Sequence, residues 1–319
     1  MKHIMILLLF PLLTWSQSYL GHVGNYPIHL DIDLYPNNDD ASTGEIDGYY
    51  FYDSKLISIP ISGIYTNNTI LLIDGYHYFA DSENDADEVF NLKKDGDSLT
   101  GTLKLNEDIY NVVLTKTEED PLEDFRNPKL TFVRDSVTNY QNKQLVWFHE
   151  KYSKTEMFRL GNGFTKAQQD TFNPLLEYLH LENAIDIMDC NSWFEIDFTI
   201  HLVNNNFISF SKQYSVFCGG AHPSYGTIGY TYDLKTLKQV KDLDTLYPDI
   251  DFFKLLKDKY YDATDEHQEE CEIFTEPSHW NNKTWNLTPK GVLLIPNYPY
   301  AMSPCEEDYF LPYTDITKD

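Results

Sequence analysis

The chain has 319 residues and a formal net charge of −26. A hydrophobic fraction of 42% and an aromatic fraction of 15% are enough to build cores, which excludes a globally disordered chain. So acidic a surface repels nucleic acid and anionic lipid at long range and attracts cationic partners, while also keeping the protein soluble.

The chain opens MKHIMILLLFPLLTWSQ. Lys2 supplies a basic start, residues 4–13 form an apolar run interrupted by Pro11, and Thr14 and Ser16 are small residues two apart. This pattern predicts a secretory signal peptide, residues 1–16, cleaved after Ser16. The run is too short to span a bilayer, no second long apolar segment follows, and no cysteine sits near the cleavage position. The expected location is secreted or periplasmic, with no membrane span.

Residues 21–117 read as short strands separated by Gly, Asn and Asp clusters. In YPIHLDIDLY, Ile28, Leu30, Ile32 and Leu34 share one face, and His29, Asp31 and Asp33 the other. A period of two marks a half-buried strand. GEIDGYYFYD, KLISIPISGIY, NTILLIDGYHYF, SLTGTLKL and IYNVVLTK follow at similar spacing, which predicts an antiparallel β-barrel or sandwich. Asp81, Glu83, Asp85 and Asp87 alternate in DSENDADE, but Ala86 and Leu92 stand where a calcium loop needs Gly and Glu; this is read as a solvated loop with no metal. Residues 118–127, TEEDPLEDFR, are acidic and carry a proline, the composition of a linker.

The second domain, 128–319, is expected to be α+β: helices packed on an antiparallel sheet. FTKAQQDTFNPLLEYLHL predicts a helix over 164–181, with Thr165 as its cap, Phe172, Leu175, Leu176 and Leu179 on one face, and a kink or break at Pro174. WFEIDFTIHL alternates strictly, Asn204, Asn205 and Asn206 supply a turn, and FISFSKQYSVFC returns as its partner. TIGYTYDL is a third strand, DFFKLLKDKYYDA a second helix, and GVLLIPNYPY and DYFLPYTDI are proline-bearing strands suited to sheet edges.

The four cysteines, Cys190, Cys218, Cys271 and Cys305, show no metal-ligand spacing, and in an exported chain the default is two disulfides. If the hairpin turn centres on Asn205, Cys190 lies opposite about residue 220, within a bulge's reach of Cys218. That favours Cys190–Cys218 and leaves Cys271 for Cys305.

The order of elements over about residues 165–316 is specific: an alternating hairpin, Gly219-Gly220-Ala221-His222-Pro223, a strand ending in Asp233 with the turn that follows it, a helix, and a closing strand pair over 291–315. It resembles the C-terminal domain shared by the anti-sigma factor RsiV and the exported peptidoglycan deacetylase PdaC. Leu237 stands where that family has a turn glycine, and Cys218 and Cys305 occupy motifs that do not ordinarily carry cysteine. The family's membrane helix and deacetylase domain have no counterpart, so neither sigma-factor control nor deacetylation carries over. The resemblance implies a non-catalytic extracytoplasmic module. The corresponding domain of RsiV binds lysozyme, a commonly basic protein that an acidic binder suits.

Gly219, Gly220 and Pro223 read as a backbone device, with His222 hydrogen-bonding inside it or touching a protein partner. No carboxylate or second ligand stands beside His222 in sequence to make it catalytic. No GxSxG elbow, phosphate loop or dinucleotide fingerprint is present, and no cofactor is implied. Exposed tyrosines suit interfaces, so the binding candidates are His222, Tyr225, Tyr298, Tyr300 and Tyr309, with Asp233 as a structural turn residue. The expected function is recognition of an envelope or extracellular ligand, a basic protein such as lysozyme or an envelope glycan. The rival readings are an enzyme acting on cell-wall glycan through paired carboxylates, and a structural envelope component.

Overall fold

The computed structural model describes residues 15–75, 88–190, 193–218, 222–298 and 300–316. The chain divides into two compact units, Met1–Thr131 and Phe132–Asp319.

The first unit is a closed eight-stranded antiparallel barrel. Its strands are β1 (Trp15–Val23), β2 (Tyr26–Pro36), β3 (Thr43–Tyr52), β4 (Ile59–Thr66), β5 (Thr69–Asp74), β6 (Glu88–Asp95), β7 (Ser98–Leu105) and β8 (Asp108–Thr117). Closure comes from β1, which pairs with β2 on one side and β8 on the other. The period of two read in β2 fills the interior: Ile28, Leu30 and Ile32 are buried together with Tyr19, Tyr50, Leu72, Phe90, Leu103 and Leu114. Most of the proposed leader lies outside the described residues, yet Trp15 and Ser16 already pair with Leu34 and Asp33 in β1. Gln17 is buried, and its Oε1 accepts from the Tyr19 hydroxyl and from Lys94 Nζ. β1 and β6 are the two strands that the sequence does not announce. DSENDADE falls outside the described residues except for Glu88.

Residues 121–129 form helical turns of the first unit, where a linker over 118–127 is expected. The Asp120 carboxylate caps the first turn through the N–H groups of Leu122 and Glu123. Arg126 is fully buried and donates to Ser58 Oγ, and Phe125 lies on the ring of His29. Its proline and acidic residues serve as helix-start signals, the same composition a linker shows.

The second unit holds three antiparallel sheets. The first is β9 (Phe132–Tyr140), β10 (Lys143–Glu150) and β11 (Glu156–Leu160); the helix α1 (Lys166–Asp189) follows. The second contains β12 (Trp193–Val203), β13 (Phe207–Phe217), β14 (Ser224–Asp233) and the short β15 (Lys238–Gln239). After the helix α2 (Phe252–Tyr260) comes the third, with β16 (Thr284–Leu287), β17 (Gly291–Ile295) and β18 (Tyr309–Pro312).

α1 has the capping box expected from Thr165, closed by Gln168. It runs unbroken through Pro174 and eight residues past position 181, to Asp189. Phe172, Leu176, His180, Asn183, Ala184 and Met188 form its buried stripe, while Leu175 is exposed. Next to the proline, the Asn173 amide grips β11, accepting from Leu160 N and donating to Leu160 O. Packing on both sides of Pro174 overrides its local cost.

The β12–β13 hairpin is centred on Asn205: Trp193 faces Phe217 and Ile200 faces Phe210, with a bulge at His201. Both expected disulfides are present, Cys190–Cys218 and Cys271–Cys305. Cys218 is exposed, whereas Cys271 and Cys305 are buried in the core of the third sheet.

β17 is the centre of its sheet, paired with β16 and β18, and not an edge. Pro296 lies just beyond the strand's end, where it withholds no ladder bond. Leu237 adopts the left-handed region at φ 57°, the conformation for which glycine is the unstrained choice. Its half-buried side chain packs on the core around Phe172 and Tyr232, which offsets that cost.

β16 crosses β14 so closely that a Cβ at Gly229 would lie 2.4 Å from Trp285 O. Beside this crossing, Asn286 Nδ2 donates to Ser209 Oγ and to Phe210 O. Gly229→Ala is expected to destabilise the second unit by about 2–3 kcal/mol, because the obstacle is backbone and cannot rotate away. Urea denaturation would show it as a lower midpoint with little change in slope.

Candidate functional site

Two surface grooves of the second unit hold the candidate chemistry. The first has a cavity volume of about 360 Å³ and contains two of the expected binding residues, Tyr225 and Tyr298, with Tyr214, Ser224, Asn297 and Glu306 around them. Tyr225 is 41% exposed. Tyr298 is buried, its hydroxyl donates to Cys271 O, and burial with the nearby Glu307, Glu272 and Glu306 pushes its pKa up to about 12. Burial also raises the Glu306 carboxyl, opposed by the Tyr298 backbone N–H.

His222 and Pro223 are exposed and lead directly into β14 beside this groove. Gly219 and Gly220 lie outside the described residues. Tyr300 sits in the helical turn Tyr300–Cys305. Tyr309 does not belong at a surface: it is 5% exposed, packs edge-to-face on Phe274 and Tyr260, and donates to Glu307 Oε2. It sits two residues before Leu311 on the inward face of β18, so period-two packing claims it for the core. The Asp233 carboxylate accepts from Lys235 N and Thr236 N. Burial opposes its ionisation, but those donors hold its pKa below the ordinary value. It closes the turn after β14.

The second groove is wider, about 640 Å³, and is lined by Trp147, Glu156, five consecutive residues Phe194–Phe198 and the turn Ser153–Thr155, with Ile187 of α1. β12 is an edge strand. Five successive lining residues place the groove along that edge, where among the described residues the backbone has no ladder neighbour. Trp147, Phe194 and Phe198 are half-buried, and Glu156, Glu195 and Asp197 are exposed. Phe194, Ile196 and Phe198 lie on one face of β12 and Glu195 and Asp197 on the other, so an apolar row and a carboxylate row run side by side along the edge that lines the channel.

The opposite wall is a tight β10–β11 turn. The buried Glu150 carboxylate accepts from Tyr152 N, Ser153 N and Ser153 Oγ, and Lys154 takes φ 63°. His180 on α1 fastens the turn from below. Its Nε2 lies 2.8 Å from Thr155 O, and because a carbonyl only accepts, Nε2 carries the proton and donates. Burial, with Arg159 nearby, lowers the His180 pKa to about 4, against the pull of Thr155 O. Sequence reasoning missed this groove because the apolar face of WFEIDFTIHL reads as core, whereas Phe194, Ile196 and Phe198 are only half covered. The available signal was the tryptophan and phenylalanines interleaved with Glu195 and Asp197.

No cluster of three His, Cys, Asp or Glu side chains suited to a metal occurs among the described residues.

No family model matches the chain, and no curated protein matches it. Among the solved structures similar to part of it are two of the DUF3298 family. One is a member of the DUF3298 family from Bacteroides fragilis, at 15% identity and a TM-score of 0.33, covering 58% of this chain and 91% of its own. The other is a DUF3298 family protein from Pseudomonas aeruginosa, at 12% identity and a TM-score of 0.32, with the same coverage. At these scores the likeness carries no argument about mechanism.

Proposed function

We propose that the protein is an exported, non-catalytic binding module whose groove along β12 takes a basic protein, with lysozyme as the ligand of first choice. The observation that carries this reading is the pairing of Trp147, Phe194 and Phe198 with Glu156, Glu195 and Asp197 in one channel. Buried aromatics supply contact energy and carboxylates supply steering toward a cation. The net charge of −26 extends that field over the whole molecule. The resemblance to the C-terminal domain of RsiV and PdaC, carried by residues 219–223 and 291–315, points the same way. Residues 1–16 act in this reading as a cleaved secretion signal. The two disulfides fit an oxidising compartment, and among the described residues no helix is long and apolar enough to cross a membrane.

The test is calorimetric titration with a basic lysozyme at low and at moderate salt. Saturable binding that persists at moderate salt supports the reading; heat that vanishes with salt is charge attraction alone. Glu195→Gln with Asp197→Asn is expected to weaken binding about tenfold, chiefly through the association rate. Tyr225→Ser is expected to leave it unchanged, since Tyr225 lines the other groove. The reverse ranking would move the interface to the tyrosine groove, and no binding at either salt would remove lysozyme.

A further inference from the structure

We propose that a third cavity, between α1 and the β13–β14 hairpin, binds a small zwitterion of the α-amino acid type, its carboxylate on Lys212 and Asn183 and its ammonium on Glu182 and Asp186. The cavity has a volume of about 430 Å³ and is lined by Leu179, Glu182, Asn183, Ile185 and Asp186 of α1, with Lys212 and Tyr230 opposite.

The inner wall carries a surplus of donors. Lys212 is 9% exposed and Asn183 1%. An ammonium has three N–H groups, and Lys212 Nζ directs one to Asn183 Oδ1. The ring of Tyr214 lies 5.8 Å away, and among the described residues no carboxylate forms an ion pair with it. Asn183 Nδ2 is buried without a hydrogen-bond partner among the described residues. A buried ammonium and a buried amide N–H both carry a desolvation cost that an acceptor would relieve. Burial accordingly lowers the Lys212 pKa, and the charges of Asp186 and Glu182 pull it back.

The outer rim carries the opposite character. Glu182 and Asp186 are exposed and one helical turn apart, and Asp186 follows Asn183 by three residues, so the two carboxylates border the buried stripe that carries Asn183. Burial raises the Asp186 carboxyl while Lys212 lowers it. A simple anion reaching Lys212 would pass two carboxylates on an already acidic protein, and a simple cation would meet Lys212. A molecule with both charges a few bonds apart satisfies each wall. Leu179, Ile185 and the ring of Tyr230 leave an apolar flank for a side chain, so leucine is the first probe.

The experiment is calorimetric titration of the full chain with L-leucine, beside 4-methylpentanoate, which lacks the ammonium, and isoamylamine, which lacks the carboxylate. Leucine is expected to bind saturably and each analogue at least about tenfold more weakly, the loss of roughly one charge contact. Asp186→Asn, at an exposed position, is expected to weaken leucine binding by a similar factor without lowering the melting temperature; Lys212→Gln should abolish it. Equal binding of leucine and 4-methylpentanoate would make this a plain anion site and overturn the proposal. Neither heat nor a thermal shift with millimolar leucine or glycine would also overturn it. The analogue comparison needs no variant, so a Lys212→Gln chain that fails to fold leaves the test intact.

Discussion

Replacing both Cys271 and Cys305 by alanine is expected to lower the stability of the second unit by about 4 kcal/mol. The bridge spans 34 residues, and releasing a loop of that length returns roughly this much chain entropy to the unfolded state. The local structure gives little else to hold the segment. Between the two cysteines lie β16, β17 and short helical turns, a sheet too small to stand alone. Both sulfurs sit in the core with Phe274, Trp280 and Tyr309, and the Tyr298 hydroxyl donates to Cys271 O. The measurement is chemical denaturation of the double variant, followed by Trp280 and Trp285 fluorescence. A loss below about 1 kcal/mol would mean that packing alone defines this layer. The same logic orders the two bridges under reductant. Exposed Cys218 makes Cys190–Cys218 the first to open, and mass mapping under mild dithiothreitol would show alkylation there before Cys271 or Cys305.

Acidification is expected to destabilise the second unit through His180. Its folded pKa of about 4 lies below its ordinary value of 6.5, so the unfolded chain binds the extra proton first. The stability that neutral His180 contributes is present above pH 6.5 and is lost as pH falls from there toward 4. Between pH 7 and pH 5 the loss is about 2 kcal/mol, given one proton and a shift of this size. Its structural cause is specific. Nε2 must remain the donor to Thr155 O, so the added proton goes to Nδ1, which is buried with no partner among the described residues. Arg159 sits close enough to oppose the new charge. Urea denaturation at the two pH values would measure the loss, and His180→Leu should flatten it while costing stability at pH 7. Because His180 secures the turn that walls the wide groove, ligand affinity should fall in the same pH interval. His201 is also held below the ordinary value, chiefly by burial, and steepens the response in the same direction; His29, lowered likewise by burial, adds an acid sensitivity of the same sign to the barrel.

Elements whose periodicity is uninterrupted were legible from sequence. β2 shows its inward residues directly, and the Asn-rich turn set the hairpin register closely enough to pair the cysteines. β1 was hidden because its first residues coincide with the end of an apolar leader pattern, and β6 because an acidic run precedes it. The far end of α1 was obscured by chemistry. Past Leu179 its buried stripe turns polar at His180 and Asn183, so the apolar pattern breaks ten residues before the helix ends at Asp189. The candidate sites were the least legible part. Alternation says which side of β12 is apolar but not how much of that side is covered, and nothing in SKQYSVF marks Lys212 as a buried ammonium. Tyrosine density pointed to Tyr225 and Tyr298, which line one groove, and equally to Tyr309, which is buried, since the same residue type completes cores and decorates surfaces.

The shut seam of the barrel also bears on time. Among the described residues β1 is the first strand, and one of its two neighbours, β8, ends at Thr117. A chain emerging from its amino end therefore presents β1 and β2 as a ribbon with an open flank until the 81 residues from Asn37 to Thr117 have followed. Barrel completion is the most non-local event in the first unit and sets its folding rate. Until then Tyr19 and Val23 have an incomplete interior to enter. During that interval the free flank of β1 is an unpaired strand edge, and the barrel closes only once β8 has arrived.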